Sequence, residues 1–135
     1  MTSPSAERSR IMRAVKSSGT QPELLVRRMA HGLGYRFRLG RTDLPGKPDL
    51  TFPRLCKVVF VHGCFWHGHG CARGARVPRQ NREYWIAKIE RNRSRDRLTP
   101  RRLRSMGWRA LTIWECETRH VARLGARLGK FLAGK

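Results

Sequence analysis

An α/β fold with helices packed around a mixed sheet is predicted by three features of the sequence. Stretches with helical and strand periodicity follow one another in the order helix, strands, helix, strand, helix. Residues 57–61, Lys-Val-Val-Phe-Val, form the most apolar run and suit a central strand. The tight turn at Pro53-Arg54 joins that run to residues 48–52 as a hairpin, which brings Asp49 and the His62 end to one edge of the sheet.

The elements follow in order. Residues 1–4 are a frayed terminus. Ile11, Met12 and Val15 make a thin apolar stripe in a helix over 5–16, which either lies on the body or reaches towards a ligand. Ser17-Ser18-Gly19 ends it. A second helix begins near Thr20 or Gln21, with Pro22 in the first turn and Glu23 favoured there by the dipole. Leu24, Leu25, Met29 and Leu33 supply its apolar period and Gly34 ends it. Residues 35–39 alternate and predict a strand; a turn-rich connection over 40–47 follows. Cys56 is expected to be a small core residue.

Beyond a basic loop at 72–82, helical spacing resumes at Glu83 through Tyr84, Trp85, Lys88, Ile89, Asn92 and Asp96. Pro100 predicts a kink or a fresh helix start capped by Thr99. Leu103 and Met106 are expected in the core before Gly107. Residues 108–116 form another strand. A last amphipathic helix over 119–132 buries Val121, Leu124, Leu128 and Phe131.

The chain has 135 residues, enough for one domain with a substantial core. Its 30 Lys and Arg face 9 Asp and Glu, a formal net charge of +21. A solvated basic surface is the plainest meaning. Such a surplus nonetheless repels itself and favours a polyanionic partner, with nucleic acid ahead of an anionic membrane surface. No segment has the apolar length of a membrane span and the first residues lack a signal-peptide core, so an intracellular, soluble protein is expected.

The chemistry concentrates in Phe60-Val61-His62-Gly63-Cys64-Phe65-Trp66-His67-Gly68-His69-Gly70-Cys71, which holds three of the five histidines and two of the four cysteines. Cys64, His69 and Cys71, with Cys116 from a later strand, make the Cys₃His set of a closed structural zinc site. His67 competes with His69 as the ligand, and buried thiols with surface histidines are the alternative. Asp49, at the mouth of its strand, could join an imidazole and a main-chain carbonyl around Mg²⁺, with His67 moving the proton of a hydrolysing water. Phe65 and Trp66 cannot both face one core in extended chain. An outward ring in a basic loop suits insertion between base pairs.

These blocks resemble something specific. Leu44-Pro45-Gly46-Lys47-Pro48-Asp49, residues 59–67, Tyr84-Trp85 with Lys88, Ile89, Asn92, Arg95 and Asp96, Gly107-Trp108-Arg109 and Ile113-Trp114-Glu115-Cys116 are similar, in order and spacing, to the very short patch repair (Vsr) endonucleases. The resemblance implies a restriction-endonuclease-like fold with structural Zn²⁺, and Mg²⁺-dependent nicking 5′ to the T of a T:G mismatch left by deaminated 5-methylcytosine. It implies a single endonuclease domain over 1–135, with 1–18 a DNA-contacting helix and arm and 19–135 the catalytic core. By its motifs, Asp49 and the Val61 carbonyl bind Mg²⁺, and His67 is the catalytic histidine. His62, Glu23 and Asp96 support it. Cys64, His69, Cys71 and Cys116 bind zinc. Phe65, Trp66 and Trp85 wedge the duplex, Met12 touches the minor groove, and Lys88 and Asn92 contact DNA. It further implies a bacterial cytoplasmic, nucleoid-associated monomer, with mismatch-repair proteins as possible partners. Val61 stands where the best-known member has Thr, which a backbone ligand tolerates. Two other readings share the charge and the zinc: a DNA-binding protein without catalysis, and a nuclease without mismatch selectivity.

Overall fold

The computed structural model describes residues 20–71 and 77–134; the expected N-terminal helix with Met12, and residues 72–76 of the basic loop, lie outside the described residues. Helix α1 (Gln21–Gly32) begins where capping chemistry favours it. Thr20 is extended, its hydroxyl accepts from the Glu23 amide at 3.4 Å, and Pro22 sits in the first turn.

Three strands form one sheet in the order β1-β2-β3: β1 (Leu50–Phe52), β2 (Lys57–His62) and β3 (Arg109–Trp114). β1 and β2 are antiparallel, with Leu50 opposite Val59. β2 and β3 are parallel, with Val59 opposite Leu111. The sheet is therefore mixed and β2 is its centre, as predicted. A parallel pair needs a long crossover, and this one contains α2 (Arg82–Ser105). Helix α3 (Val121–Ala133) closes the described chain.

The pleat of β2 divides the core, since alternate side chains point to opposite faces. Val59, with Leu50, Phe52 and Ile113, packs against Val26 and Ala30 of α1 and Leu124, Leu128 and Leu132 of α3. Val58 and Phe60 pack with Leu44 and Leu103 on the α2 side. Helices thus cover both faces.

Several expectations are corrected. The inward face of α1 is Glu23, Val26 and Ala30, while Leu33 is exposed. The buried Glu23 carboxylate accepts from Arg27 Nη2 at 2.7 Å, and seating it turns the larger leucines to the flank. Residues 35–39 form no strand. Only Arg38 pairs, exchanging backbone bonds with Thr51 at 2.8 and 3.0 Å. Cys56 is exposed and left-handed (φ 52°) at the end of the 3₁₀ turn Pro53–Leu55, because the hairpin reverses there. Helix α2 runs through Pro100, and Thr99 caps nothing: its hydroxyl donates to the Arg95 carbonyl at 2.9 Å. Burial of Ile89 and Leu103 on either side outweighs a proline penalty of about 3 kcal/mol. Met106, the C-cap of α2, and Val121, the first residue of α3, are exposed.

Lys57 was not foreseen. It opens the central strand yet is 3% exposed. Its ammonium donates to the carbonyls of Phe131 (2.6 Å), Leu132 (3.1 Å) and Gly134, which are the unpaired acceptors at the end of α3. Lys57→Met keeps the chain length but leaves those carbonyls without their donor. We expect it to destabilise the protein by about 1–3 kcal/mol in urea unfolding, with no loss of zinc content.

Candidate functional site

The hairpin delivers Asp49 to the end of β2. Its amide donates to the Val59 carbonyl at 3.1 Å, and its Oδ2 accepts from the Val61 amide at 2.6 Å. The side chain thus extends the β1–β2 ladder by one acceptor. Burial pushes the Asp49 carboxyl up from the ordinary 3.8 to about 7, a rise that the Val61 amide opposes. The nearby Glu23 charge adds to the rise, whereas His67 and Arg27 counter it. Four expected site residues therefore share one electrostatic neighbourhood: Asp49, Val61, Glu23 and His67. Hard oxygens on a carboxylate that resists ionisation, beside a second buried acid, fit a small divalent cation such as Mg²⁺.

Beyond β2 the chain turns tightly. His67 N donates to Gly63 O at 3.2 Å, and His69 N to Cys64 O at 2.9 Å. This winding sends successive side chains to different neighbours. Gly68, at φ +61°, lies against α2; a Cβ there would meet Ile89 Cγ2 at 2.6 Å. The turn presents His67 to Asp96, whose Oδ2 is 2.7 Å from His67 Nδ1. Facing an ionised carboxylate, which only accepts, Nδ1 donates the hydrogen, and in the neutral form of the ring Nε2 then carries the lone pair. The His62 ring stacks on His67 with centroids 3.8 Å apart and planes at 4°. Burial, reinforced by the His67 charge and opposed by Asp96, holds His62 down to about 4.

His62, His67 and Asp96 could be taken for a metal triad, as their donor atoms lie within 4.8 Å of one another. The stacking argues otherwise. Parallel rings direct their in-plane lone pairs along separate planes, which do not meet at one ion. The pair is better suited to handling a single proton beside a neutral neighbour.

The second cluster has the opposite character. The donor atoms of Cys64, His69, Cys71 and Cys116 also lie within 4.8 Å of one another. Cys116 Sγ is 3.6 Å from His69 Nδ1, and the Cys116 amide donates to Cys64 Sγ at 3.4 Å. The 3.6 Å separation of Sγ and Nδ1 suits an edge of a tetrahedron with Zn–S bonds near 2.3 Å, a length characteristic of structural zinc. Burial pushes the Cys64 thiol up to about 12, so a thiolate there requires a cation. The Cys₃His cluster is thus consistent with structural zinc, and His69 rather than His67 belongs to it. Trp114, whose role the sequence did not reveal, stacks on His69 at 4.2 Å and 15°. Glu117 fixes the following turn by accepting from the Trp114 amide at 3.0 Å and from Arg127 of α3 at 2.7 and 2.6 Å.

Between these clusters sit the aromatics. Phe65, Trp66 and Trp85 meet edge to face in all three pairings, with centroids 5.2–5.5 Å apart. All three are half-buried and none joins either core. Lys88 Nζ lies 5.1 Å from the Trp66 ring centre. Asn92 faces inward: Nδ2 donates to the Trp66 carbonyl at 2.7 Å, and Oδ1 accepts from Arg95 Nη2 at 2.7 Å. No helix of the described residues is long and apolar enough to cross a membrane.

The family model described as DNA mismatch endonuclease Vsr matches residues 3–73. The chain is 50% identical over 129 residues to the type II nicking enzyme V.XorIIP of Xanthomonas oryzae, covering 95% of this chain and 94% of that relative. It is 36% identical over 127 residues to the type II nicking enzyme V.NmeAIP of Neisseria meningitidis, covering 94% and 90%. It is 41% identical over 119 residues to the DNA mismatch endonuclease Vsr of Escherichia coli, covering 88% and 76%. Similarity of this breadth, over a fold that gathers these side chains, means that the chain belongs to the Vsr family and is a DNA nicking endonuclease.

Proposed function

We propose that this endonuclease nicks one strand 5′ to the T of a T:G mismatch arising from deaminated 5-methylcytosine, and so begins very short patch repair. The observation that carries the reading is the half-exposed trio Phe65, Trp66 and Trp85, continuous through the Trp66–His67 peptide with the proton-handling histidine. Aromatic wedges unstack a step for a few kcal/mol, and least where pairing is already weak. A mismatch is such a place. The second reading, a nicking enzyme without mismatch selectivity, is favoured by relatives described only as type II nicking enzymes.

In this mechanism Asp49 and the Val61 carbonyl would hold Mg²⁺, which when bound supplies positive charge against the phosphate. His67 Nε2 takes the proton of the attacking water, whose oxygen bonds to phosphorus as the ester bond to one flanking sugar breaks, and the departing sugar oxygen takes a proton from solvent water to become a hydroxyl. Asp96 keeps the imidazole in the needed tautomer, Glu23 supports the Asp49 end, and His62 stays neutral against the ring. Phe65, Trp66 and Trp85 wedge the duplex, and Lys88 reaches the DNA beside them. Residues 1–18, with Met12, act as an arm to the minor groove, and residues 19–135 form a restriction-endonuclease-like catalytic core. Monomeric action suits an asymmetric lesion.

Labelled duplexes carrying T:G or C:G at one position, with Mg²⁺ or EDTA, test the reading. Nicking of T:G alone in Mg²⁺ is expected, and equal cutting of both duplexes would leave the unselective nuclease. His67→Ala should lower the rate by about 10²–10⁴-fold while mismatch affinity holds.

The zinc is checked by metal analysis. About one equivalent per chain is expected, and Cys116→Ser should lose it and unfold at lower denaturant.

Asp49 links charge to stability. Its folded pKa is raised from 3.8 to about 7, so stability from this group is present below pH 3.8 and lost as pH rises through 7. Asp49→Asn, which can still accept from Val61, should therefore raise the midpoint at pH 8 without added Mg²⁺ by about 3–8 °C. Thermal scans should show that gain shrinking towards pH 4, and Mg²⁺ should stabilise only the parent.

A further inference from the structure

Trp66 and His67 are consecutive, yet one belongs to the wedge and the other to the hydrolytic centre. Helix α2 pins each of them, and the two pins are one turn apart. Asn92 donates to the Trp66 carbonyl at 2.7 Å, and Asp96 lies 2.7 Å from His67 Nδ1. Residues four apart lie on one helix face. Trp85 and Lys88, which touch the Trp66 ring, continue that face.

The Trp66 carbonyl and the His67 nitrogen belong to one peptide plane, because the amide is rigid. Asn92 holds the oxygen end, and the Gly63 carbonyl accepts from the nitrogen end at 3.2 Å. That plane fixes ψ of Trp66 and φ of His67, the two torsions that orient these side chains relative to one another. The orientation of the Asn92 amide is itself fixed: Arg95 Nη2 donates to its oxygen at 2.7 Å, which turns the NH₂ towards Trp66.

We propose that Asn92 is a positioning residue that couples the wedge to His67, by fixing the peptide plane their side chains share. Seating the Trp66 ring and aiming the imidazole are then one geometric event. A duplex that does not accept the ring leaves His67 misaimed, so selectivity is expressed in the rate of nicking more than in binding. The inference rests on the wedge reading given above. It differs from a base-reading role for Asn92, in which the amide would pair with a base edge.

The test is a double-mutant cycle with Asn92→Leu, which is uncharged and close in shape, and Trp66→Ala, made in full-length, zinc-loaded protein. Single-turnover nicking at saturating enzyme and affinity without Mg²⁺ are both measured. Asn92→Leu is expected to lower the saturating rate about 10–100-fold with affinity within about threefold of the parent. The double variant should be no slower than the slower single variant, since coupled residues are non-additive. Arg95→Gln, which removes only the brace, should lower the same rate less, and it serves if Asn92→Leu loses its zinc. An unchanged saturating rate with weakened affinity would overturn the proposal in favour of base contact. Losses that multiply in the double variant would also overturn it. Parental preference for T:G over C:G tests the wedge reading separately. The cycle runs on whichever duplex the parent nicks faster, so either idea can fail alone.

Discussion

One stripe along α2 sets the distance between the acid and the imidazole. Ile89 lies against Gly68, Asn92 holds the Trp66 carbonyl, Asp96 holds His67, and Thr99 lies against Gly46. Leu103 then anchors the stripe in the core. At Gly46 and Gly68 the backbone itself rests on the helix with positive φ, and a Cβ would come within 2.5 and 2.6 Å of Thr99 and Ile89. The loop that leads to Asp49 and the loop that carries His67 are therefore registered against the same rigid rod. A helix of 24 residues does this well, because it is long enough to span both loops. Continuity of α2 across Pro100 matters for the anchor: a break there would separate Leu103, held in the core, from the contacts at Ile89, Asp96 and Thr99.

The Cys₃His cluster does for the turn what α2 does for its ends. Cys64 and His69 bracket Phe65, Trp66 and His67, and Cys116 ties them to the end of β3. Ordering three residues on binding would cost about 3–6 kcal/mol, which is comparable with the unstacking that the proposed wedge would have to offset. A metal held by this cluster would fix the turn at folding, so that cost would not fall at the DNA. The stacking of Trp114 on His69 continues the same logic from the sheet side.

Much of this was legible from residue spacing, and the rest failed for identifiable reasons. The hairpin that sets Asp49 beside β2, the central place of residues 57–61, and the Cys₃His set all follow from local pattern and donor chemistry. Helix faces read less well. Leu24 and Leu25 look like the core of α1, but its buried residues are Glu23, Val26 and Ala30, with Glu23 paired to the partly exposed Arg27, and no apolar count weighs an ion pair. Lys57 reads as the polar edge of a strand until α3 brings its carbonyls over it. Cys56 reads as core from the apolar strand beside it and Met106 from its helical spacing with Leu103, but each is the residue that ends its helical turn and is exposed. Asn92 is the sharpest case. Its spacing on α2 marks it for the site, but only tertiary contact shows its amide turned to Trp66 rather than outward. Between His67 and His69 the spacing was indifferent, and the partner decided: Asp96 for one, three thiols for the other.

The two perturbed groups at the hydrolytic end shift in opposite directions, yet both shifts favour the uncharged form. Asp49 is raised to about 7 and His62 lowered to about 4, each chiefly by burial. On a chain of net charge +21 this neutrality is a property of the pocket, not of the surface. A cationic His62 stacked 3.8 Å from His67 would compete for Asp96 and penalise a proton on the working ring. Kept neutral, it instead lends a flat, polarisable face that fixes the ring plane. The buried acid is similarly restrained in the free protein, and on the proposed mechanism a cation held by Asp49 would offset its charge and link ionisation to metal binding. On that mechanism the metal and the phosphate would both bring charge with them, so the free protein would not have to store it. The full electrostatic arrangement would then form only where DNA and cation meet beside His67, whose ring Asp96 and His62 already hold.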